Sequence, residues 1–162
     1  MTQQDQLITW LNSAYAMEQS LVRVLENHAN DAKDHPEIRE RLEQHVAETR
    51  GHAERVRECL ERLGAEPSTL KAALGNVMGM VHGASTGMFR DELVKNALAD
   101  YSMEHFEIAC YRSLIAAAEA AEQPEIVEIC GEILDEEFEM AEWLEEQIPE
   151  ITLLVLQQTA TK

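Results

Sequence analysis

Apolar residues recur every three or four positions along most of this chain, a spacing that is typical of amphipathic helices rather than strands. The pattern predicts a first helix over residues 2–30, with Thr2 and Asp5 placed to form a capping box at its start. It predicts a second helix over residues 36–63, which Gly64 would end because glycine readily adopts the left-handed conformation that follows many helices.

A less regular stretch follows the second predicted helix. Residues 67–83 carry apolar side chains at helical spacing, together with several glycines, and we expect a short crossover helix there. A third long helix is predicted to begin between Thr86 and Phe89 and to end at Ala121. The crossover helix would therefore lie between the second and third long helices.

The fourth long helix is predicted from Pro124 to about Gln147. Pro149 should break it, because proline has no amide donor, and residues 151–158 would then form an apolar C-terminal turn. Short loops within each pair of helices make the paired helices antiparallel neighbours. The sequence therefore predicts an all-α, four-helix bundle that forms a single domain over residues 1–162.

Composition narrows the class of protein. The chain has 162 residues, of which 45% are hydrophobic, and its formal net charge is −18. A surface with this much negative charge repels phosphate backbones and anionic lipid. We therefore expect neither nucleic acid nor membrane as a partner. The three cysteines show no CxxC spacing, and the N-terminal residues lack the features of a secretory signal, so we expect a reducing, cytoplasmic setting.

Acidic residues occupy positions where the helical pattern calls for apolar ones. Each of the four long helices carries at least one such carboxylate, and the second helix also carries two imidazoles three and four residues from its acid. Glutamate is almost never fully buried unless it is paired. The inward acids and their neighbouring histidines are Glu18, His45, Glu48, His52, Glu104, Glu107 and Glu137.

A pair of divalent metal ions would explain why these carboxylates gather. Four carboxylates offset the charge of two divalent ions, and imidazole ligands favour iron, manganese or zinc over magnesium. Other interpretations remain open at this point. The second helix could turn this face to solvent, Glu137 could belong to a general acidic face, and the inward direction of the third helix is ambiguous because it is apolar nearly all round.

The spacing of these residues resembles that of a known family, the YciE/YciF family of ferritin-like stress proteins. The resemblance covers roughly residues 5–147, and its motifs are Tyr15-x-x-Glu18, His45-x-x-Glu48-Thr49-x-x-His52, Glu104-His105-Phe106-Glu107-Ile108-Ala109-x-Tyr111 and Glu136-Glu137. It implies a ferritin-like four-helix bundle with an additional crossover helix, a homodimer and a di-iron-type centre.

The chain departs from the ferritin pattern in two helices. Gly51 stands three residues after Glu48, where ferritin-type sites place a histidine, and His52 follows one position later. In the fourth helix, Met140 and Ala141 occupy the positions three and four beyond Glu137, and neither is a ligand for a hard metal ion.

Two hypotheses for function follow. The first is a redox protein whose iron or manganese ions are held by six residues, namely Glu18, Glu48, His52, Glu104, Glu107 and Glu137. Glu48 and one of the later acids would bridge the metals, Glu18 and His52 would be terminal ligands, and His45 would lie one turn further along without contacting metal. An open coordination position would activate oxygen or peroxide, or oxidise ferrous iron. The alternative is a dimeric, non-enzymatic stress or interaction protein with a degenerate metal site. No catalytic residue is assigned.

Overall fold

The chain folds into four long α-helices. A computed structural model describes residues 2–68 and 92–160, without the side chains of residues 159 and 160, and no strand occurs within those ranges. The helices are α1 (Gln3–Asp31), α2 (Pro36–Arg62), α3 (Glu92–Ala120) and α4 (Pro124–Ala160). The predicted crossover helix lies outside the described residues. None of the helices in the described part is long and apolar enough to cross a membrane.

The predicted ends of the first two helices agree with the structure to within a residue. The amide of Asp5 donates to the Thr2 hydroxyl at 3.1 Å and the amide of Thr2 donates to the Asp5 carboxylate at 2.7 Å, which completes the capping box. Pro36 begins α2, and Gly64 follows its C-terminus with a φ of 70°. That angle lies in the left-handed region, which glycine adopts without a steric penalty.

The predicted break at Pro149 is wrong. Helix α4 continues through the proline to Ala160, so the expected apolar turn is instead the last part of a long helix. Proline costs a helix one hydrogen bond and a clash, together about 3 kcal/mol. Ile151 lies just beyond it and is buried against Val94 and Ala97 of α3, and burial of an isoleucine offsets about 1.5–3 kcal/mol of that cost.

The helices form two antiparallel hairpins that pack side by side. Helix α1 packs on α2 and α3 on α4, while α1 also contacts α3 and α2 also contacts α4. Helices α1 and α3 are also antiparallel to each other, and so are α2 and α4. In each pair the contact partners move backward along one helix as they move forward along the other: Glu18–Tyr111 and His28–Asp100 for α1 and α3, and His52–Glu136 and Arg62–Glu125 for α2 and α4. The diagonal helices α2 and α3 therefore run parallel.

Two apolar clusters fill the bundle on either side of its middle. One contains Leu7 and Leu11 of α1 together with Leu60 of α2, and the other contains Leu42 of α2 and Leu144 of α4. Between them lies a belt of buried ionisable side chains. The ionisable side chains of the belt are therefore enclosed between two apolar layers, which keep most water away from them.

Candidate metal centre

Three of the four helices contribute buried carboxylates to the belt, and the fourth contributes histidines. Glu18 comes from α1, Glu104 and Glu107 from α3, and Glu137 from α4, and none of them is more than 2% exposed. Helix α2 contributes the two histidines, which are buried to the same degree. The belt therefore consists of Glu18, His45, His52, Glu104, Glu107 and Glu137. Groups this ionisable remain buried only when they are paired or bind a metal.

One three-residue group joins α1, α2 and α4. Glu18, His52 and Glu137 each place a ligand atom within 4.8 Å of the others. The Nδ1 atom of His52 lies 2.8 Å from Oε1 of Glu137 and 3.6 Å from Oε2 of Glu18. Two carboxylate oxygens and one imidazole nitrogen therefore surround a common space.

A second group lies beside the first and shares one of its members. His45, Glu104 and Glu137 also bring their ligand atoms within 4.8 Å of one another. The Nε2 atom of His45 lies 2.9 Å from Oε1 of Glu104. Glu137 belongs to both groups, so its carboxylate joins them into one continuous cluster.

Several atoms of the two groups have no hydrogen-bond partner in the described part of the chain, although His45 Nε2 and Glu104 Oε1 pair with each other. Among the described residues, no hydrogen-bond partner exists for Oε2 of Glu18, Nδ1 of His52, Oε2 of Glu104 or either oxygen of Glu137. The 2.8 Å approach of His52 to Glu137 is short, but its alignment is not that of a hydrogen bond. Buried polar atoms are rarely left in this way, and oxygen with imidazole nitrogen is a donor set that suits iron or manganese.

Each histidine is fixed by a carboxylate on its outer side. The Nε2 atom of His52 lies 2.8 Å from Oε2 of Glu136, which also accepts a hydrogen bond of 2.7 Å from Arg55. The Nδ1 atom of His45 lies 2.9 Å from Oε2 of Glu48. A carboxylate that holds the far nitrogen of an imidazole is the usual support for a metal-binding histidine.

Glu18 has a comparable support from α3. The hydroxyl of Tyr111 donates to Oε1 of Glu18, which leaves Oε2 as the oxygen that faces the first group. Tyr111 is fully buried, and burial, followed by the charge of Glu18, raises the pKa of its phenol well above the ordinary value. The tyrosine therefore keeps its proton and acts as a fixed donor.

The imidazoles carry positive charge when no metal is bound. Burial would lower the pKa of both rings, but the adjacent carboxylates outweigh burial. Glu104 and Glu48 raise the pKa of His45 to about 10. Glu137 is the largest of the contributions that raise the pKa of His52 to about 11. Metal ions would have to displace these protons, since only the neutral ring binds metal.

The carboxylates differ in how readily they ionise. Burial raises the pKa of Glu104 to about 8, holds that of Glu107 well above its ordinary value and also raises that of Glu18. Burial would likewise raise the pKa of Glu137, but the imidazolium of His52 outweighs burial and the pKa is lowered. Glu137 is therefore anionic and central, as a bridging ligand would need to be.

The structure brings four of the six predicted ligands into the two groups, namely Glu18, His52, Glu104 and Glu137. Glu107 is buried close enough for the charges of Glu137 and Glu104 to raise its pKa, but it belongs to neither group.

Glu48 is placed differently from its predicted bridging position. Its side chain is 23% exposed, and it contacts His45, Arg41 at 3.2 Å and Gln44 at 2.8 Å. His45, which was expected to lie outside the ligand set, belongs to the second group. Its seven-residue spacing from His52, two turns along one helix face, was the signal in the sequence that both rings point inward.

Comparisons with known proteins identify the family of the chain and agree with its fold. A family model described as "Domain of unknown function (DUF892)" matches residues 2–157. A crystal structure of a protein from Xanthomonas campestris is 34% identical and has a TM-score of 0.83, over 98% of this chain and 99% of that one.

Two further solved structures share the fold at lower identity. The stress protein YciF of Escherichia coli is 22% identical with a TM-score of 0.79, over 91% of this chain and 95% of that one. Ferritin-like, diiron-carboxylate proteins from Bacillus anthracis are 18% identical with a TM-score of 0.68, over 91% and 99% of the two chains. The predicted all-α, ferritin-like bundle and the predicted YciE/YciF-type relationship are confirmed.

Proposed function

The chain belongs to the DUF892 family, and on that premise we propose that it is a ferritin-like protein that binds two iron or manganese ions. One ion would be held by Glu18, His52 and Glu137, and the other by His45, Glu104 and Glu137. The reaction would be oxidation of ferrous iron, or reaction with oxygen or peroxide. The shared carboxylate of Glu137 is the observation that carries the proposal, because it joins the two groups and neither of its oxygens has a hydrogen-bond partner among the described residues.

The balance of charge supports two ions rather than one. The belt holds four buried carboxylates and two imidazoles within the described residues. Two divalent ions would neutralise four carboxylates, and the imidazoles could then be neutral ligands. Without metal, the same charges are balanced by protons on the histidines and on part of the acids, which the raised pKa values of His45, His52 and Glu104 reflect.

The bound ions would supply electron transfer to a small oxidant, and the protein residues have separate tasks. Tyr111 holds Glu18 in one orientation, Glu136 does the same for His52, and Glu48 does the same for His45. The apolar clusters above and below the belt exclude water, which strengthens every charged interaction inside it. Glu107 is buried beside the ligands, and burial raises its pKa, so it holds a proton in the metal-free protein.

Metal analysis of protein purified without chelator tests the proposal. We expect about two iron or manganese ions per chain, one for each ligand group, and we expect the iron-loaded protein to oxidise added ferrous iron faster than buffer does. The variant Glu18→Gln should lose metal from the first group. Glu26→Gln, an exposed change on the same helix, is the matched control and should keep both ions. Metal content well below one ion per chain in the unaltered protein would refute the proposal.

A second candidate function is a non-enzymatic stress or interaction protein with a degenerate site. The observation that favours it is in α4, where Met140 and Ala141 are buried in the positions that could have supplied a further ligand after Glu137. Both histidines also have carboxylate partners without any metal. This candidate predicts no tightly bound metal, so the same elemental analysis distinguishes it. The homodimer and the cytoplasmic location stay predictions from the sequence.

A further inference from the structure

Two cysteines lie opposite each other in the bundle and have no part in the ligand groups. Cys59 of α2 and Cys130 of α4 are both fully buried, both unbonded and both members of one apolar cluster. Cross-helix ion pairs lie on either side of them; these are Arg62–Glu125 toward one end and Arg55–Glu132 at 3.7 Å toward the other. The antiparallel register that these pairs define places the two thiols at the same level.

The two thiols interact with each other. A side-chain hydrogen bond with Cys130 lowers the pKa of the Cys59 thiol. The same interaction, together with burial, raises the pKa of Cys130. The two thiols therefore lie within hydrogen-bonding reach of each other. Formation of a disulfide begins from such an arrangement, because one thiol must lose its proton before the sulfurs can join.

The thiol pair lies in line with the candidate metal centre. Cys59 stands seven residues beyond His52, and Cys130 stands seven residues before Glu137. Because α2 and α4 are antiparallel, both steps run toward the same end of the bundle, by about 10 Å at 1.5 Å per residue. Val56 and Ile133 fill the layer between, and both are fully buried. The sulfurs are too far from the centre to be ligands, and a packed apolar layer lies between.

We propose that Cys59 and Cys130 form a dithiol that reduces the oxidised metal ions of the centre. The inference rests on the proposed function, since it needs two ions that oxygen or peroxide has raised from the divalent to the trivalent state. Each thiol would give one electron to one trivalent ion and release one proton to solvent. The two sulfurs would join in a single disulfide, and both ions would return to the divalent state.

The burial of the pair explains why its electrons would go to the metal. Fully buried thiols are inaccessible to dissolved oxidants and cannot exchange with other thiols. An electron, in contrast, can pass through one packed apolar layer although the thiol and the metal are not in contact. Cys110 of α3 packs against the same apolar cluster but is partly exposed, and its replacement provides a control.

Counting thiols before and after aeration tests the proposal. Protein loaded with ferrous iron without oxygen, and matched metal-free protein, are exposed to air, denatured and alkylated, and the mass of each intact chain is measured. We expect the metal-loaded chain to fall from three alkylated cysteines to one, while the metal-free chain keeps all three. Cys110→Ala should fall from two to none, and Cys59→Ala should lose neither of its remaining thiols. Metal content and loss of ferrous iron are measured on the same samples.

The outcomes separate the two proposals. If iron is bound and oxidised but three thiols remain, the dithiol inference is overturned and the proposed function stands. If no iron is bound, both fall. If the metal-free chain loses the same two thiols in air, the coupling to metal is overturned. Should Cys59→Ala fail to fold, the comparison of the loaded and metal-free unaltered chains still decides the question.

Discussion

The substitution Glu137→Gln should weaken both metal positions at once, because Glu137 is the residue that the two ligand groups share. Glutamine keeps the size and shape of the side chain but removes the negative charge and replaces one oxygen by a poor ligand. Glu139→Gln, two residues along α4 and exposed to solvent, removes the same charge from the helix without touching either group. The pair of variants therefore separates loss of a ligand from loss of surface charge.

The size of the effect follows from linkage between metal binding and folding. Changes to residues that only support a metal ligand cost about 10–100-fold in affinity, so loss of a ligand itself should cost at least about 100-fold. With free metal at about 100 times the dissociation constant, each bound ion stabilises the unaltered protein by about 2.7 kcal/mol. At the same metal concentration the variant would gain only about 0.4 kcal/mol for each ion.

Thermal unfolding with and without Mn²⁺ measures this difference. For a chain of this size 1 kcal/mol corresponds to about 2–4 °C, so two ions should raise the Tm of the unaltered protein and of Glu139→Gln by about 10–20 °C. The shift in Glu137→Gln should be about 2–3 °C. Each protein is compared with its own metal-free form, so any direct effect of the substitution on the fold cancels. An undiminished shift in Glu137→Gln would refute the assignment of Glu137 as the shared ligand.

Three further predictions follow from the same geometry. Tyr111→Phe removes the donor that holds Glu18 and should weaken metal binding at the first group by about 10–100-fold, with the second group unaffected in a calorimetric titration; equal weakening of both would contradict the two-group arrangement. Metal binding at pH 7 should release protons, because His45 and His52 have pKa values of about 10 and 11 without metal. A weakly buffered titration with a pH indicator measures this release. If no protons are released, those imidazoles are not the ligands. The protonated histidines stabilise the metal-free fold fully below about pH 6.5, the pKa of an unfolded histidine, and this contribution is lost as pH rises through the folded values of about 10 and 11. The free energy of unfolding of the metal-free protein, measured in urea, should therefore fall from pH 7 to 10. That of the metal-bound protein should fall less.

The bounds of the helices could be predicted from the sequence because they depend on residues close to each helix end. The Thr2–Asp5 capping box, Pro36 at the start of α2 and Gly64 after its end each act within a few residues. The exception was Pro149, where the local signal for a break was outweighed by a tertiary one. Burial of Ile151 against α3 depends on a helix far away in the sequence, so no pattern near the proline could have shown it.

The candidate site was readable only in outline. Helical spacing shows which carboxylates face inward, and Glu18, Glu104 and Glu137 are buried as that spacing predicted. It does not show how side chains divide between ligand and support. Glu48 and His45 lie three residues apart on one face, and their roles depend on Arg41 and Gln44 drawing Glu48 outward while Glu104 receives the far nitrogen of His45. Contacts between helices therefore decide which side chain is a ligand and which is a support, and the spacing of residues along one helix does not reveal those contacts.

The arrangement also gives the prediction about Glu48 a direct test. If Glu48 only supports His45, Glu48→Gln should weaken metal binding by about 10–100-fold, less than Glu137→Gln does. A titration in which Glu48→Gln abolishes binding of both ions would restore Glu48 as a bridging ligand.

The most direct test of the metal centre is an anomalous diffraction map from crystals of the protein grown with Mn²⁺. We predict two peaks within the bundle, one bounded by Glu18, His52 and Glu137 and the other by His45, Glu104 and Glu137, with Glu137 in contact with both. A map without a peak between these four helices, or with manganese bound only at surface carboxylates, would contradict the account.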